Sequence, residues 1–347
     1  MHAPPTGLSY TIYYTALAVI AVPGEQFRAL KTPSVDLPEC AKRTANLVTV
    51  GILSRGKCGL SRCITLYLVS MSVTDFLVIV TAVIINRICR IYFPGSFLDI
   101  TPVCSFTNAF TSAARLTSVW LTVTFTFDRF VAISCQKLKA NYCTEKTATV
   151  VIGTVCAIGC LINIPWYFVH EPIYVIDGIP WYCRLREIRH TSPAWITFVW
   201  FDRIATPCVP FLLILLLNAL TVRQILVASR ARKRLRAESN VENQNDAEME
   251  SRRKSIILLF AISWSFILLW MAYVVQFLYV RIASNYKIQN NDPIFILREA
   301  GNMLQLLSSC TNTFIYTAIQ SKFRAEFNKL ARYPFTMFSK LISKSRN

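Results

Sequence analysis

The chain has 347 residues, of which 54% are hydrophobic and only 16% charged. A soluble domain carries roughly 25% charged residues, so this composition excludes an ordinary soluble protein. The formal net charge of +18 would suit nucleic acid, but the apolar residues fall in blocks of about the 20 residues that a membrane-spanning helix needs. The sequence therefore predicts an integral membrane protein that does not bind nucleic acid.

The first predicted span is interrupted. The apolar stretches Tyr10–Gly24 and Asn46–Leu53 are each too short to cross a bilayer. Glu25–Ala45 lies between them and contains several charged residues and two prolines, which are costly in contact with lipid. Two interpretations remain open. Either Glu25–Ala45 is an insertion whose removal joins the two halves into one span, or the first segment is re-entrant and shielded by other helices.

Six further apolar blocks are long enough to span a membrane, which predicts an all-α bundle of seven transmembrane helices. These blocks are Ile64–Ile85, Cys104–Ile133, Ala148–Phe168, Trp195–Val227, Ser255–Val280 and Pro293–Ile319. Lys and Arg are concentrated in the gaps after the first, third and fifth spans and after the seventh. The positive-inside rule then places the N-terminus outside and the C-terminus in the cytoplasm. The same basic charge favours anionic lipid of the inner leaflet.

Two cytoplasmic segments differ in character. Ala237–Glu250 is rich in Glu, Asn and Gln without apolar periodicity, which predicts a disordered third cytoplasmic loop. Phe323, Phe327 and Leu330 are spaced i, i+4, i+7 among basic residues, which predicts a short amphipathic helix on the inner membrane face. The seven-helix domain is thus expected over residues 1–330, followed by a cytoplasmic tail over 331–347.

A three-residue motif, Asp128-Arg129-Phe130, lies at the inner end of the third span. It resembles the Asp-Arg-Tyr motif of rhodopsin-like (class A) G-protein-coupled receptors, with Phe in place of Tyr. Cys104 lies about one membrane thickness away at about 1.5 Å per helical residue, as in that family. Other positions match in the same order: Asn46, Asp75, Pro210, Trp270 after Phe266, and Asn312-Thr-Phe-Ile-Tyr316. The resemblance covers about residues 46–330 and suggests a branch that senses peptides or amino acids.

This resemblance implies a non-enzymatic receptor of the plasma membrane that binds an extracellular ligand and activates heterotrimeric G proteins. It implies a disulfide between Cys104 and Cys183 in the second extracellular loop, where such bonds persist; two free thiols are the alternative. The residues that it assigns to G-protein coupling and switching are Asp128, Arg129, Phe130, Trp270, Asn312 and Tyr316.

Asp75 lies in the middle of the second span, where an ionisable residue is costly and marks a candidate functional site. With Ser118 and Asn312 it would form a polar site for sodium or water, as the resemblance implies. A purely structural hydrogen-bond cluster is the alternative. We expect no cofactor other than this candidate sodium ion.

Other positions also depart from the family pattern. Arg252 stands where many relatives carry an acidic residue on the sixth helix, so a second restraint on Arg129 is absent and basal signalling is expected. Thr313 and Ala272 replace prolines that kink the seventh and sixth helices. We therefore expect both helices to be straighter.

Charged residues in the outer halves of the spans indicate where a ligand binds. Arg115 lies in the third span, and Asp202 and Arg203 in the fifth; charges at this depth usually face the bundle interior or a water-filled cavity. An Arg and an Asp facing one cavity suit a zwitterion, and aromatic residues such as Phe277 would line its apolar part. The hypothesis is a small amphiphilic ligand, an amino acid or peptide. An internal Arg115–Asp202 salt bridge without a ligand is the alternative.

Other functions fit less well. A transporter or channel often shows internal repeats, which are not evident here. A retinal photoreceptor needs a lysine in the seventh span, and Pro293–Ile319 contains none. A non-functional product with a broken first span stays open.

Overall fold

The computed structural model describes residues 45–56, 58–238, 246–282 and 293–329. Apart from Ala45, the predicted insertion Glu25–Ala45 lies outside the described residues, as do Leu330 and the predicted tail 331–347. The two interpretations of the first span therefore stay open.

The described residues form a bundle of seven helices, which we call helices I to VII. Helix I covers Ala45–Ser54, helix III Thr101–Ser134, helix VI Asp246–Ile282 and helix VII Pro293–Ile319. Helix II consists of Arg62–Val78, a π-helical stretch Ile79–Cys89 and Arg90–Tyr92. Helix IV comprises Glu145–Asn163 and Pro165–Phe168. Helix V comprises Pro193–Arg203, π-helical Ile204–Cys208 and Val209–Glu238.

Local sequence fixes where several of these helices begin. Ser61 caps helix II, because its Oγ accepts a hydrogen bond from the Ile64 backbone N–H at 3.4 Å. Thr144 caps helix IV in the same way through the Thr147 N–H at 3.2 Å. Such caps satisfy backbone donors that the first helical turn leaves without partners. A short helix, Gln136–Tyr142, lies between helices III and IV.

In the described part of the chain, helices II to VI are long and apolar enough to cross a membrane. Helix VII has 27 residues but contains many polar side chains. The described part of helix I has only 10 residues. Helices VI and VII run without interruption through Ala272 and Thr313, as expected where proline is absent.

The prediction for the third cytoplasmic loop needs correction. Helix V continues to Glu238 and helix VI begins at Asp246, so the ends of the predicted disordered loop 237–250 are helical; residues 239–245 lie outside the described residues. Ala and Glu, which are frequent there, are good helix formers. The bundle is all-α as predicted, and the loop after helix IV adds four short strands: β1 His170–Glu171, β2 Tyr174–Ile176, β3 Ile179–Trp181 and β4 Arg184–Leu185.

These strands form a lid of two antiparallel pairs over the outer end. β1 pairs with β4, and β2 pairs with β3 through a turn at Asp177 and Gly178, both of which have positive φ. The Tyr182 backbone N–H donates to the Asp99 carbonyl at 2.6 Å, which ties the hairpin to the loop after helix II. A disulfide joins Cys104 of helix III to Cys183. The outer loop is therefore held to the outer end of helix III.

The inner half of the bundle is the best-packed part. One cluster of buried side chains joins helices II, III, VI and VII there. Its members that are at most 1% exposed include Tyr67, Leu121, Phe125 and Tyr316. Residues 321–329 are helical, and Phe323 packs edge-on against Tyr316 at 5.9 Å between ring centroids. Phe323 was predicted to face the membrane, but it is fully buried in the protein because it completes this cluster.

Candidate functional site

The inner end of helix III holds a buried ion pair. Asp128 and Arg129 are 1% and 6% exposed, and Arg129 Nε donates to Asp128 Oδ2 at 3.0 Å. A second contact joins Arg129 Nη2 to the same carboxylate oxygen. Phe130 is only partly buried and lies 6.5 Å from the Phe127 ring. The guanidinium is thus held by its own neighbour and is shielded from solvent.

Two cysteines that the sequence did not single out support this pair. Cys63 Sγ donates to Asp128 Oδ1 at 3.4 Å, and Cys143 Sγ donates to the Asp128 carbonyl at 3.7 Å. Burial, followed by the neighbouring Asp128 charge, raises the pKa of the Cys143 thiol to about 11, so it remains a donor at neutral pH. Scattered cysteines give no sequence signal for such a role, since the contacts span 65 and 15 residues.

Asp75, Ser118 and Asn312 come together in the middle of the bundle, as predicted. Ser118 Oγ donates to Asp75 Oδ1 at 2.6 Å, and Asn312 Nδ2 donates to Oδ2 at 2.7 Å. A cavity of about 20 Å³ adjoins them, and Arg115, Ser309 and Trp270 also lie in its wall. This volume holds about one water-sized particle. A carboxylate with serine hydroxyl and amide oxygens suits a hard cation, so the residues fit a sodium ion as well as a water.

A polar contact between helices I and VII was not predicted. Asn46 Nδ2 donates to the Ser309 carbonyl at 3.0 Å, and Thr313 Oγ1 donates to Asn46 Oδ1 at 3.2 Å. Thr313 Oγ1 also lies 2.9 Å from Thr49 Oγ1. The residue that replaces the expected proline therefore links the first and last helices.

The outer half contains a cavity of about 440 Å³ lined by four arginines, Arg87, Arg90, Arg115 and Arg203. A smaller cavity of about 110 Å³ shares Arg115 and Arg203 with it and adds Asp202. The structure thus brings together three of the four residues predicted to bind ligand. Phe277 is absent from the described walls of both cavities; it packs edge-on against Trp200 at 6.1 Å.

Arg115 and Asp202 do not form the salt bridge that was the alternative to ligand binding. No ion pair of 4 Å or less joins them in the described residues. Asp202 instead accepts a hydrogen bond from Thr206 Oγ1 at 3.4 Å. The two side chains share one cavity wall without closing on each other.

Tyr273 of helix VI, which sequence reasoning missed, links the outer cavity to the middle of the bundle. Its hydroxyl accepts a hydrogen bond from Arg203 Nη1, and its ring meets Trp270 edge-on at 6.0 Å. Gly301 allows this position, because a Cβ there would lie 3.0 Å from Tyr273 Cα. Trp270 in turn stacks on Phe266 at 5.2 Å. A continuous series of contacts therefore joins Arg203 to Trp270.

The sequence pattern of the family described as "7 transmembrane receptor (rhodopsin family)" matches residues 45–316. The chain belongs to this family. It is therefore a multi-pass membrane protein with the seven-helix fold that the sequence predicted, in a family that is in general one of receptors rather than enzymes.

A curated relative of this rhodopsin-family receptor is the FMRFamide receptor of Drosophila melanogaster, which is 27% identical over 202 residues. The match covers 55% of the present chain and 36% of the relative. The chain thus spans about a third of the length of that relative.

Proposed function

We propose that this receptor lies in the plasma membrane with its N-terminus outside and couples an extracellular amphiphilic ligand, a peptide or amino acid, to activation of a heterotrimeric G protein. The single observation that carries the proposal is the presence of two separate charged sites on one helix. Arg115 faces the outer cavity, and Arg129 is held by Asp128 at the inner end. At about 1.5 Å per residue they lie about 21 Å apart.

Two observations support the ligand class and the orientation. A cavity of about 440 Å³ is within the range of about 300–1,000 Å³ that small ligands occupy. A relative is named for a peptide that it binds. The disulfide between Cys104 and Cys183 favours the oxidising, extracellular side for the outer loop, in agreement with the basic cytoplasmic gaps.

Coupling requires two states of the bundle and ligands that discriminate between them. The contacts from Arg203 through Tyr273 to Trp270 give the outer cavity a route by which a ligand shifts helix VI. Release of Arg129 from Asp128 would then expose the inner site to the G protein. Arg252 in helix VI, whose side chain lies outside the described residues, offers no acidic restraint, so we propose measurable basal activity.

We also propose that sodium binds beside Asp75 and favours the inactive state. The supporting observation is the small polar cavity at the carboxylate. Asp75, Ser118 and Asn312 would hold the ion. Trp270 lines the same cavity, so its position would depend on whether the ion is bound.

The test is basal nucleotide exchange on heterotrimeric G proteins in membranes that contain the full chain. We expect exchange above receptor-free membranes, its loss in Arg129→Ala, and its retention in Arg184→Gln, an exposed arginine of the extracellular hairpin. Exchange equal to that of receptor-free membranes at verified surface expression would contradict the proposal.

A non-functional product with a broken first span is distinguished by a second measurement. Surface staining of an N-terminal tag is compared between the full chain and a chain without Glu25–Ala45. If only the shortened chain is stained, the insertion keeps the full chain from reaching the cell surface. Equal staining would show that the first span tolerates it.

A further inference from the structure

The outer cavity carries more positive charge than the hypothesis of a zwitterionic ligand requires. No Asp or Glu lines the cavity of about 440 Å³ among the described residues, whereas four arginines do. Asp202, in the smaller adjoining cavity, is the one carboxylate that the described walls of these two cavities contain.

The arginines of the wall differ in how their charge is balanced. Arg90 lies 3.7 Å from Asp99 Oδ1 and is therefore paired. Arg203 donates to the neutral hydroxyl of Tyr273. Arg115 forms no hydrogen bond or ion pair with any residue in the described part of the chain, and its Nε is buried without a partner. The Arg115 guanidinium is repelled by the charge of Arg203 and attracted by that of Asp202.

A partly buried guanidinium without a carboxylate is destabilising, because it has lost part of its hydration without gaining a counter-charge. Asp75 lines the small central cavity together with Arg115, but its two oxygens already accept hydrogen bonds from Ser118 and Asn312 and it forms no ion pair with Arg115 in the described part of the chain. Asp202 cannot balance both Arg115 and Arg203. An anion in the cavity would supply the missing charge, and the planar fork of Arg115 is suited to two-point contact with a carboxylate or phosphate.

We propose that the outer cavity selects ligands of net negative charge, whose carboxylate or phosphate group pairs with Arg115. This inference rests on the proposed function, since it specifies the ligand of the same receptor.

The experiment measures thermal unfolding of the purified full chain with four phenylalanine derivatives that share one ring and differ in charge. N-acetyl-L-phenylalanine is anionic, L-phenylalanine zwitterionic, N-acetyl-L-phenylalaninamide neutral and L-phenylalaninamide cationic. Phenyl phosphate is the phosphate probe. Comparing it with N-acetyl-L-phenylalanine shows whether the site prefers a phosphate or a carboxylate. At about 10 mM probe we expect at least one anion to raise the Tm by about 2–4 °C, and the neutral and cationic amides to leave it unchanged.

Arg115→Met should abolish the shift, and Arg115→Lys should retain part of it. Arg324→Met is the matched control, because Arg324 is exposed at the cytoplasmic side, and it should respond like the wild type. A shift of equal size with the neutral or cationic amide, or no shift with either anion, would overturn the proposal.

A second measurement needs no ligand. If Arg115 lacks its counter-charge in the empty receptor, Arg115→Met should have a Tm at or above that of the wild type. A fall of several degrees would make Arg115 a structural residue and overturn the inference. Neither result depends on a G protein, so nucleotide exchange that requires Arg129 would still support the receptor function if the anion site failed.

Discussion

Two arginines of helix III, one near each end of the bundle, differ in whether their charge is balanced. At the inner end Arg129 lies against Asp128, which also accepts a hydrogen bond from Cys63, and the surrounding side chains are closely packed. At the outer end Arg115 lies in the wall of a cavity of about 440 Å³ without an ion pair among the described residues. A satisfied pair restrains the protein, whereas an unsatisfied charge favours binding of a partner. This difference supports the proposal of a switch at one end and a ligand site at the other.

The largest expected effect tests whether the inner cluster is more closely packed than the wall of the outer cavity. Phe125 is fully buried in the inner cluster, so Phe125→Ala should reduce the free energy of unfolding by about 3–5 kcal/mol. Leu185 beside the outer cavity is 44% exposed, and Leu185→Ala should cost less than about 0.5 kcal/mol. Thermal unfolding of the purified variants measures both. Equal losses would mean that the two ends are packed alike.

The next effect concerns the covalent anchor of the outer end. Removal of the disulfide by Cys104→Ser or Cys183→Ser should cost about 2–5 kcal/mol, because the bond closes a long loop of chain. The double variant should lose no more than either single variant. Additive losses in surface expression and Tm would support two independent thiols instead.

The inner restraint is tested by Asp128→Asn, which removes the charge that holds Arg129. We expect basal nucleotide exchange per folded receptor to rise roughly tenfold, since a hydrogen bond to a charged group contributes about 1.5–3 kcal/mol. Cys63→Ala should give a smaller rise, because a thiol is a weak donor. Unchanged exchange in Asp128→Asn would remove the ion pair from the switching mechanism.

A smaller effect is expected midway between the ends, at Asp75. Replacing choline chloride by sodium chloride at equal ionic strength should stabilise the protein by about 1 kcal/mol if sodium binds beside the carboxylate. Asp75→Asn should eliminate this difference in Tm. A sodium effect that survives the substitution would place the ion elsewhere and leave the structural hydrogen-bond cluster as the role of Asp75.

The smallest effect is expected at an exposed ion pair, which serves as a comparison for the buried pair of Asp128 and Arg129. Arg62 and Glu145 form an ion pair at 3.5 Å at the inner face, with side chains 85% and 53% exposed. Glu145→Gln should change the free energy of unfolding by less than about 0.5 kcal/mol, because water screens such pairs. Denaturation in low and high salt checks this. If Glu145→Gln lowers the free energy of unfolding as much as Asp128→Asn does, the exposed pair and the buried pair contribute equally to stability.

Much of the site was predictable where residues match the motifs of the family in their order along the chain. The motif Asp128-Arg129-Phe130 and the polar group of Asp75, Ser118 and Asn312 were found through that resemblance, and the structure brings the polar group together. The contacts of Cys63, Tyr273 and Thr313 were missed because no such motif marks them and each joins residues at least 65 positions apart. Their residue types are also ordinary for a membrane helix.

By itself, the sequence determined the membrane helices and the chemical identity of the charges placed at the two ends, and it predicted their orientation. These features depend on hydropathy, helix length and local spacing, all of which a single chain displays. Only the tertiary structure decided that Phe323 is buried against Tyr316, that Arg115 and Asp202 share a wall without pairing, and that Tyr273 engages Arg203. Such outcomes depend on which helix faces meet, and those faces come from distant parts of the chain.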